Sequence, residues 1–242
     1  MSETAGYEVV SREIGPMKNR QHVVVDRATG EAAVVDPAWD ADALIAMAEE
    51  AGGQVAQVWL THSHGDHVNA LDALLGKRPV PVILSGDEAD FWGGAPADAR
   101  RVTDGATLRL GETPVSVIAT PGHTPGGICF RLAEDLIAGD TLFVYGCGRC
   151  DLGGSDPRRM FSSLRRLREE LPDGMVVHPG HDYGVQPTAT MAEQRAGNPF
   201  LHFDDEDAFV DYRLNRHSRH RSQPFAPVSR DELARFLQCD DF

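Results

Sequence analysis

The stretch THSHGDHVNA, Thr61 to Ala70, places His62, His64, Asp66 and His67 within six positions. Upstream, the apolar run QVAQVWL (54–60) reads as a strand that delivers the chain to this loop. Downstream, NALDALLG (69–76) reads as a helix and VPVIL (80–84) as the next strand. A polar loop that happens to be rich in histidine is the plain alternative. The rest of the chain argues against it, because the arrangement recurs. VSVIAT (115–120) ends just before PGHTPGG and His123, LIAG (136–139) before Asp140 in GDTLF, and MVVHPG (175–180) before His181. Strand ends on a rigid sheet hold side chains in place while leaving them open to solvent.

Together His62, His64, Asp66, His67, His123, Asp140 and His181 offer seven nitrogen and oxygen donors. One zinc ion takes about four, so the set suits two metals that share a carboxylate. Imidazole and carboxylate favour Zn, Fe(II) or Mn, and no cysteine interrupts the set. Two divalent ions lower the pKa of a shared water until hydroxide exists at neutral pH. They also stabilise the oxyanion formed when that hydroxide attacks a carbonyl.

Around these residues, strands outnumber helices and both kinds are spread along the chain. HVVVD (22–26), the turn RATG and EAAVVD (31–36) read as a β-hairpin, and DADALIAMAEEAGG (40–53) as a helix capped by Asp40. TLRL (107–110) and ICFRL (128–132) add strands. DPRRMFSSLRRLREEL (156–171) is an amphipathic helix with Met160, Phe161, Leu164, Leu167 and Leu171 on one face. A last helix begins at Ser229, where Ser229 and Glu232 form a capping box. Sheets sandwiched between helices fit this α/β pattern better than a doubly wound parallel sheet. With no internal repeat and no low-complexity linker, the expected organisation is one domain over residues 1–198 with a C-terminal extension, 199–242, packed on it.

Lys and Arg number 23 against 37 Asp and Glu, a net charge of −14 that repels nucleic acid phosphates and anionic membranes. The basic run RLNRHSRHR (213–221) follows the acidic DDED (204–207) and reads as a compensated, solvated surface. No apolar stretch reaches the length of a membrane span, and MSETAGYEVVSREIG lacks the marks of a secretory signal, so a cytoplasmic location is expected. Cys129, Cys147, Cys150 and Cys239 are too few and too scattered for a disulfide framework, and Cys147-Gly-Arg-Cys150 lacks the second pair a zinc site needs. His178 and His202 stand alone and read as structural. His22, with Asn19 just before it, flanks a hairpin strand and carries no assignment.

The H-x-H-x-D-H run, PGHTPGG, GDTLF and PGHDYG, in that order, resemble the metallo-β-lactamase superfamily in its glyoxalase II-like branch, across residues 7 to 200. The resemblance implies an αββα sandwich with two Zn2+ per chain. One metal would take His62, His64 and His123, the other Asp66, His67 and His181, with Asp140 bridging. Asp66, on the second metal, would also orient the nucleophile. Asp36, in VVDP, matches the superfamily's first aspartate, which supports the metal loop.

GCGRCDLGGSDP (146–157) resembles the glyoxalase II segment in which a basic residue and a tyrosine hold glutathione. Arg149 keeps the basic position, Asp151 replaces the tyrosine, and Tyr183 is a further substrate-binding candidate close to His181. Only 61 residues follow His181, fewer than the helical domain of glyoxalase II needs. VVDPAWD, GCGRCDLGGSDP and PGHDYGVQPT are similar to zinc-dependent hydrolases associated with polyketide assembly. That likeness implies hydrolysis of an acyl thioester carried by an acyl carrier protein, coenzyme A or a related thiol. Persulfide dioxygenases share most of the same motifs, which would imply one Fe2+ on His62, His123 and Asp140 and oxidation of glutathione persulfide. A non-catalytic metal-binding protein fits less well, because all seven ligand positions are filled.

Overall fold

The computed structural model describes residues 6–217 and 223–238. It begins with three antiparallel strands, β1 (Tyr7–Glu13), β2 (Arg20–Asp26) and β3 (Glu31–Val35). Helix α1 (Ala41–Glu50), capped by Asp40 through Ala43 N, then carries the chain to β4 (Gln54–Trp59), parallel to β3. The short helix α2 (Gly65–Val68) and α3 (Leu71–Lys77) lead to β5 (Val82–Ser85), and α4 (Gly86–Trp92) leads to β6 (Arg100–Val102). These strands form one six-stranded sheet in sequence order.

A second six-stranded sheet starts with β7 (Thr107–Leu110), β8 (Thr113–Ala119), β9 (Ile128–Arg131) and β10 (Asp135–Gly139), each antiparallel to the one before. A small hairpin, β11 (Leu142–Phe143) and β12 (Gly146–Cys147), and the long helix α5 (Pro157–Glu170) come next. β13 (Val176–Pro179) then joins parallel to β10, and β14 (Ala189–Thr190) closes the edge. Helices α6 (Met191–Gly197), α7 (Glu206–Asp211) and α8 (Arg230–Gln238) finish the chain. The capping box at Ser229 is present, with Glu232 Oε2 accepting from Ser229 N at 2.9 Å and Ser229 Oγ from Glu232 N at 3.3 Å.

Alternation along the strands sorts the apolar side chains into three layers, because successive residues face opposite sides of a sheet. Val24, Ala33, Val35, Trp59 and Ile83 of the first sheet meet Leu108, Val115, Val117, Phe130 and Ile137 of the second. Val23, Val25, Ala32, Val34 and Val58 face the other way, onto Leu44 and Met47 of α1 and Leu71 and Leu74 of α3. On the far side, Cys129, Leu136, Ala138 and Val177 receive Met160, Leu164 and Leu167 of α5 together with Phe200, Phe209 and Leu233. The result is the αββα sandwich, with residues beyond 198 sharing the third layer.

Some segments differ from their sequence reading. The histidine stretch coils at once into α2, so Asp66 and His67 stand on a helical turn. β5 starts at Val82, after Pro81, which has no N–H to give to a ladder. β1 and α4 have no apolar period to mark them, because YEVVSRE buries only Tyr7 and GDEADFW only Glu88 and Ala89. Cys147 and Cys150 are buried in the third layer, where burial pushes the Cys147 thiol well up and the Cys150 thiol to about 11, so this C-x-x-C is packing. His178 Nε2 bonds Asp135 Oδ1 at 2.7 Å, and His202 Nε2 bonds Val228 O at 2.7 Å. Part of the basic run 213–221, and Cys239, lie outside the described residues. Among the described residues no helix is long and apolar enough to cross a membrane.

Phe130 has no exposed surface and stacks on Trp59 at 5.0 Å between the sheets. Phe130→Ala is expected to cost about 3–5 kcal/mol in urea unfolding; a loss below about 1 kcal/mol would contradict this inter-sheet packing.

Candidate metal centre

The ends of β3, β4, β8, β10 and β13 meet at one rim of the sandwich. β3 delivers Asp36, β4 delivers His62 to His67, β8 leads to His123, β10 to Asp140 and β13 to His181. Ligand atoms of His62, His64 and His123 lie within 4.8 Å of one another, as do those of Asp66, His67 and His181. These are the two triads named from the sequence. Asp140 stands between them: its Oδ1 is 3.4 Å from His67 Nε2, and its Oδ2 is 3.5 Å from His123 Nε2 and 3.4 Å from His181 Nε2.

The backbone accommodates this convergence by omitting side chains. A Cβ on Gly180 would lie 2.3 Å from Asp140 Oδ1 and 3.0 Å from the His67 ring, and one on Gly148 would lie 2.0 Å from Asp140 O and 3.0 Å from the His123 ring.

Four of the five imidazoles have their Nδ1 held by a group outside the ligand set, while His64 Nδ1 faces His123 Nε2 at 2.9 Å. His67 Nδ1 bonds Asp36 Oδ2 at 3.1 Å, His123 Nδ1 donates to Arg149 O at 2.8 Å, and His181 Nδ1 donates to Met17 O at 2.9 Å. His62 Nδ1 meets Thr61 Oγ1 at 3.0 Å, and that hydroxyl donates to Asp36 Oδ2 at 2.5 Å, so it accepts from the imidazole. An occupied Nδ1 fixes ring orientation and tautomer, leaving Nε2 with a lone pair for a cation. Asp36 also accepts from Thr61 N at 2.7 Å. Asp36, His62 and His67 form a third ligand-spaced group, but the Asp36 oxygens are already taken by these donors.

Charge at the rim is unbalanced without a cation. Burial lowers the pKa of His67, yet Asp140, Asp36 and Asp66 outweigh it and raise the imidazole to about 9. Burial likewise works against charging His181, and Asp140 outweighs it, so that group is raised too. Burial and the neighbouring His67 drive His62 well down, and burial with His123 lowers His64. Burial favours protonating Asp140, but His181 and His67 hold its carboxyl well below the usual range. His62 Nε2 and Asp140 Oδ1 are buried with no hydrogen-bond partner among the described residues. Oriented imidazole nitrogens, three carboxylates and two orphaned acceptors fit divalent cations.

The two substrate-binding candidates are placed differently. The Arg149 guanidinium is exposed and pairs with both Asp151 oxygens at 2.9 Å, while its backbone carbonyl reaches the centre through His123. The Tyr183 ring stacks on His181 at 4.7 Å, and burial pushes its phenol up to about 12, so it stays neutral. Phe225, from beyond residue 198, stacks on Tyr183 at 5.2 Å.

Glu88 was not found from the sequence. It is buried on α4, with Oε1 accepting from Ser63 N at 2.8 Å and Ser63 Oγ at 2.6 Å, and Oε2 from Thr124 Oγ1 at 2.7 Å and Gly126 N at 3.1 Å. One carboxylate thereby ties the His62–His64 loop to the His123 loop. The Ser85-x-x-Glu88 pattern signals only half of this. Ser85 does cap α4, but Glu88 turns from the capping box to the loops.

The model described as "Metallo-beta-lactamase superfamily" matches residues 20–181. The chain belongs to the metallo-β-lactamase superfamily. Within it, the chain is 31% identical to the probable polyketide biosynthesis zinc-dependent hydrolase PksB of Bacillus subtilis, over 86% of this chain and 95% of that one. It is also 31% identical to a hydroxyacylglutathione hydrolase of Maricaulis maris, over 83% and 94%. Among solved structures, ETHE1 from Myxococcus xanthus superposes with a TM-score of 0.79 at 28% identity, covering 90% of this chain and 94% of that one. TTHA1623 in a di-iron-bound form gives 0.67 at 31%, covering 80% and 100%.

Two outcomes follow. Metal uptake must displace the proton that His67 holds below pH 9, so apparent affinity is expected to fall as pH drops below that value. Calorimetry in buffers of different ionisation enthalpy should show net proton release; proton-neutral uptake at pH 7 would contradict the charge balance. Glu88→Ala should cost about 3 kcal/mol or more, since four buried donors lose their shared acceptor; chemical denaturation checks this, and a change within about 0.5 kcal/mol, on the order of a surface substitution, would contradict it.

Proposed function

We propose that this protein is a metal-dependent hydrolase of acyl thioesters that works with two zinc ions per chain. His62, His64 and His123 would hold one ion and Asp66, His67 and His181 the other, with Asp140 placed to serve both. The observation that carries this reading is the buried Asp140 carboxylate, within 3.5 Å of imidazoles from both triads. The names of the PksB relative and the hydroxyacylglutathione hydrolase support zinc and a thioester substrate, and the di-iron form of TTHA1623 supports two metal positions.

Bound cations supply a nucleophile at neutral pH and positive charge for the oxyanion formed at the acyl carbonyl. The chain's own groups position and enclose. Asp66 Oδ2, held by Asn19 and 3.4 Å from His181 Nε2, would orient the attacking water. The neutral ring of Tyr183, continued by Phe225, offers an apolar wall to the acyl group. Arg149 stands at the exposed rim, where its pair with Asp151 is worth at most about 1 kcal/mol and exchanges readily for an anionic group on the thiol carrier. Cytoplasmic coenzyme A, carrier-protein or related thioesters are the partners this reading names; the charge of −14 argues against nucleic acid and membrane surfaces.

The test pairs elemental analysis of freshly purified protein with two assays, thiol release from acyl-coenzyme A and acyl carrier protein thioesters, and O2 consumption on glutathione persulfide. Two zincs per chain with thiol release are expected. One iron with persulfide-dependent O2 uptake would replace this reading with a dioxygenase, and metal without turnover on any of these substrates would replace it with a binding protein.

A further inference from the structure

The second triad is gripped from one short segment that the ligand motifs do not include. Between β1 and β2, residues 17–20 lie alongside residues 180–182: Arg20 N donates to Gly180 O at 2.8 Å, Asp182 N to Lys18 O at 2.8 Å, and Asn19 forms an antiparallel bridge with His181. Met17 O accepts from His181 Nδ1. Asn19, with no exposed surface, donates from Nδ2 to both Asp66 O and Asp66 Oδ2 at 3.0 Å. Two of the three second-triad ligands are therefore oriented from this segment, and none of the first-triad side chains bonds to it.

The direction of the Asn19 amide is set by a third residue. Trp39 Nε1 donates to Asn19 Oδ1 at 2.8 Å. An indole N–H only donates, so the amide oxygen must face Trp39 and the NH2 must face Asp66. Trp39 itself sits at φ 68°, in the left-handed region a bulky residue rarely adopts. That conformation persists because its neighbours over-determine it. Its N–H donates to Asn69 Oδ1 at 2.7 Å, and its ring fills the space where a Gly15 Cβ would lie 2.3 Å from Trp39 Cδ1. A strained, partly exposed tryptophan is thus held where its indole fixes an amide, and that amide fixes a ligand.

We propose that Asn19 and Trp39 form a positioning relay onto Asp66 that sets the affinity of the second metal position and leaves the first unchanged. This rests on the two-position reading above. Asn19 is the positioning residue and Trp39 acts through it.

The test titrates metal-free full-length protein with Zn2+ against a chromophoric chelator, resolving two equivalents. Asn19→Ala is expected to weaken one of the two equivalents by about 10–100-fold, the range for an outer-shell partner of a ligand, with the other within about 2-fold of wild type. Trp39→Phe keeps the ring and removes the N–H; it should weaken the same equivalent by about 10-fold, and the double variant should match Asn19→Ala, since residues acting through one another are not additive. Trp39 is partly exposed, so its variant carries the test even if Asn19→Ala fails to fold. Equal weakening of both equivalents, no weakening of either, or additive losses in the double variant would each overturn the relay. A wild-type chain that takes up one equivalent only would overturn the two-position reading itself, and the relay with it.

Discussion

Three carboxylates and five imidazoles share one rim of the sandwich, and the centre of that arrangement demands positive charge. Asp140 is the focus. It is buried, one oxygen lacks a hydrogen-bond partner among the described residues, and imidazoles from both triads surround it. An ionised carboxylate in such a place is costly unless it is paired. The raised pKa of His67 and of His181 answers this in the metal-free chain, and divalent cations would answer it in the proposed loaded state. The fold serves this requirement: two sheets packed face to face bring five strand ends to one rim.

Holding like donors so close together needs a second ring of contacts, and these come from widely separated elements. Asp36 orients His67 and anchors Thr61, Glu88 joins the loops of the first triad, the Arg149 carbonyl orients His123, and residues 17–20 brace the second. Each bracing group satisfies backbone or side-chain polar atoms that would otherwise be buried unpaired. Precise ligand geometry and local stability therefore depend on the same bonds, so a bracing residue is expected to affect both metal affinity and unfolding.

Much of this was legible in the sequence because it rests on local periodicity. The apolar alternation of residues 22–26 and 115–120, and the helical face of residues 156–171, each mark an element and the side it buries. The ligands stand directly after such runs. The bracing residues leave no such mark. Glu88 is 25 positions from Ser63 and 36 from Thr124, and Asn19 is 47 from Asp66. Asn19 stands just before a strand as an ordinary polar residue, and only the pairing of residues 17–20 with 180–182 gives it a role. Arg149 shows a related limit: its residue type draws attention to the guanidinium, whereas the contact with the centre is made by its carbonyl, which any residue would supply. β1, with its charged and polar positions, is an edge strand identifiable only through its pairing with β2.

The most direct test of the central claim is anomalous diffraction at the zinc edge from crystals of zinc-loaded protein. Two peaks about 3.5–4 Å apart are expected, one beside His62, His64 and His123, the other beside Asp66, His67 and His181, with the Asp140 carboxylate reaching both. A single peak, or none at this rim in protein that retains zinc, would contradict it.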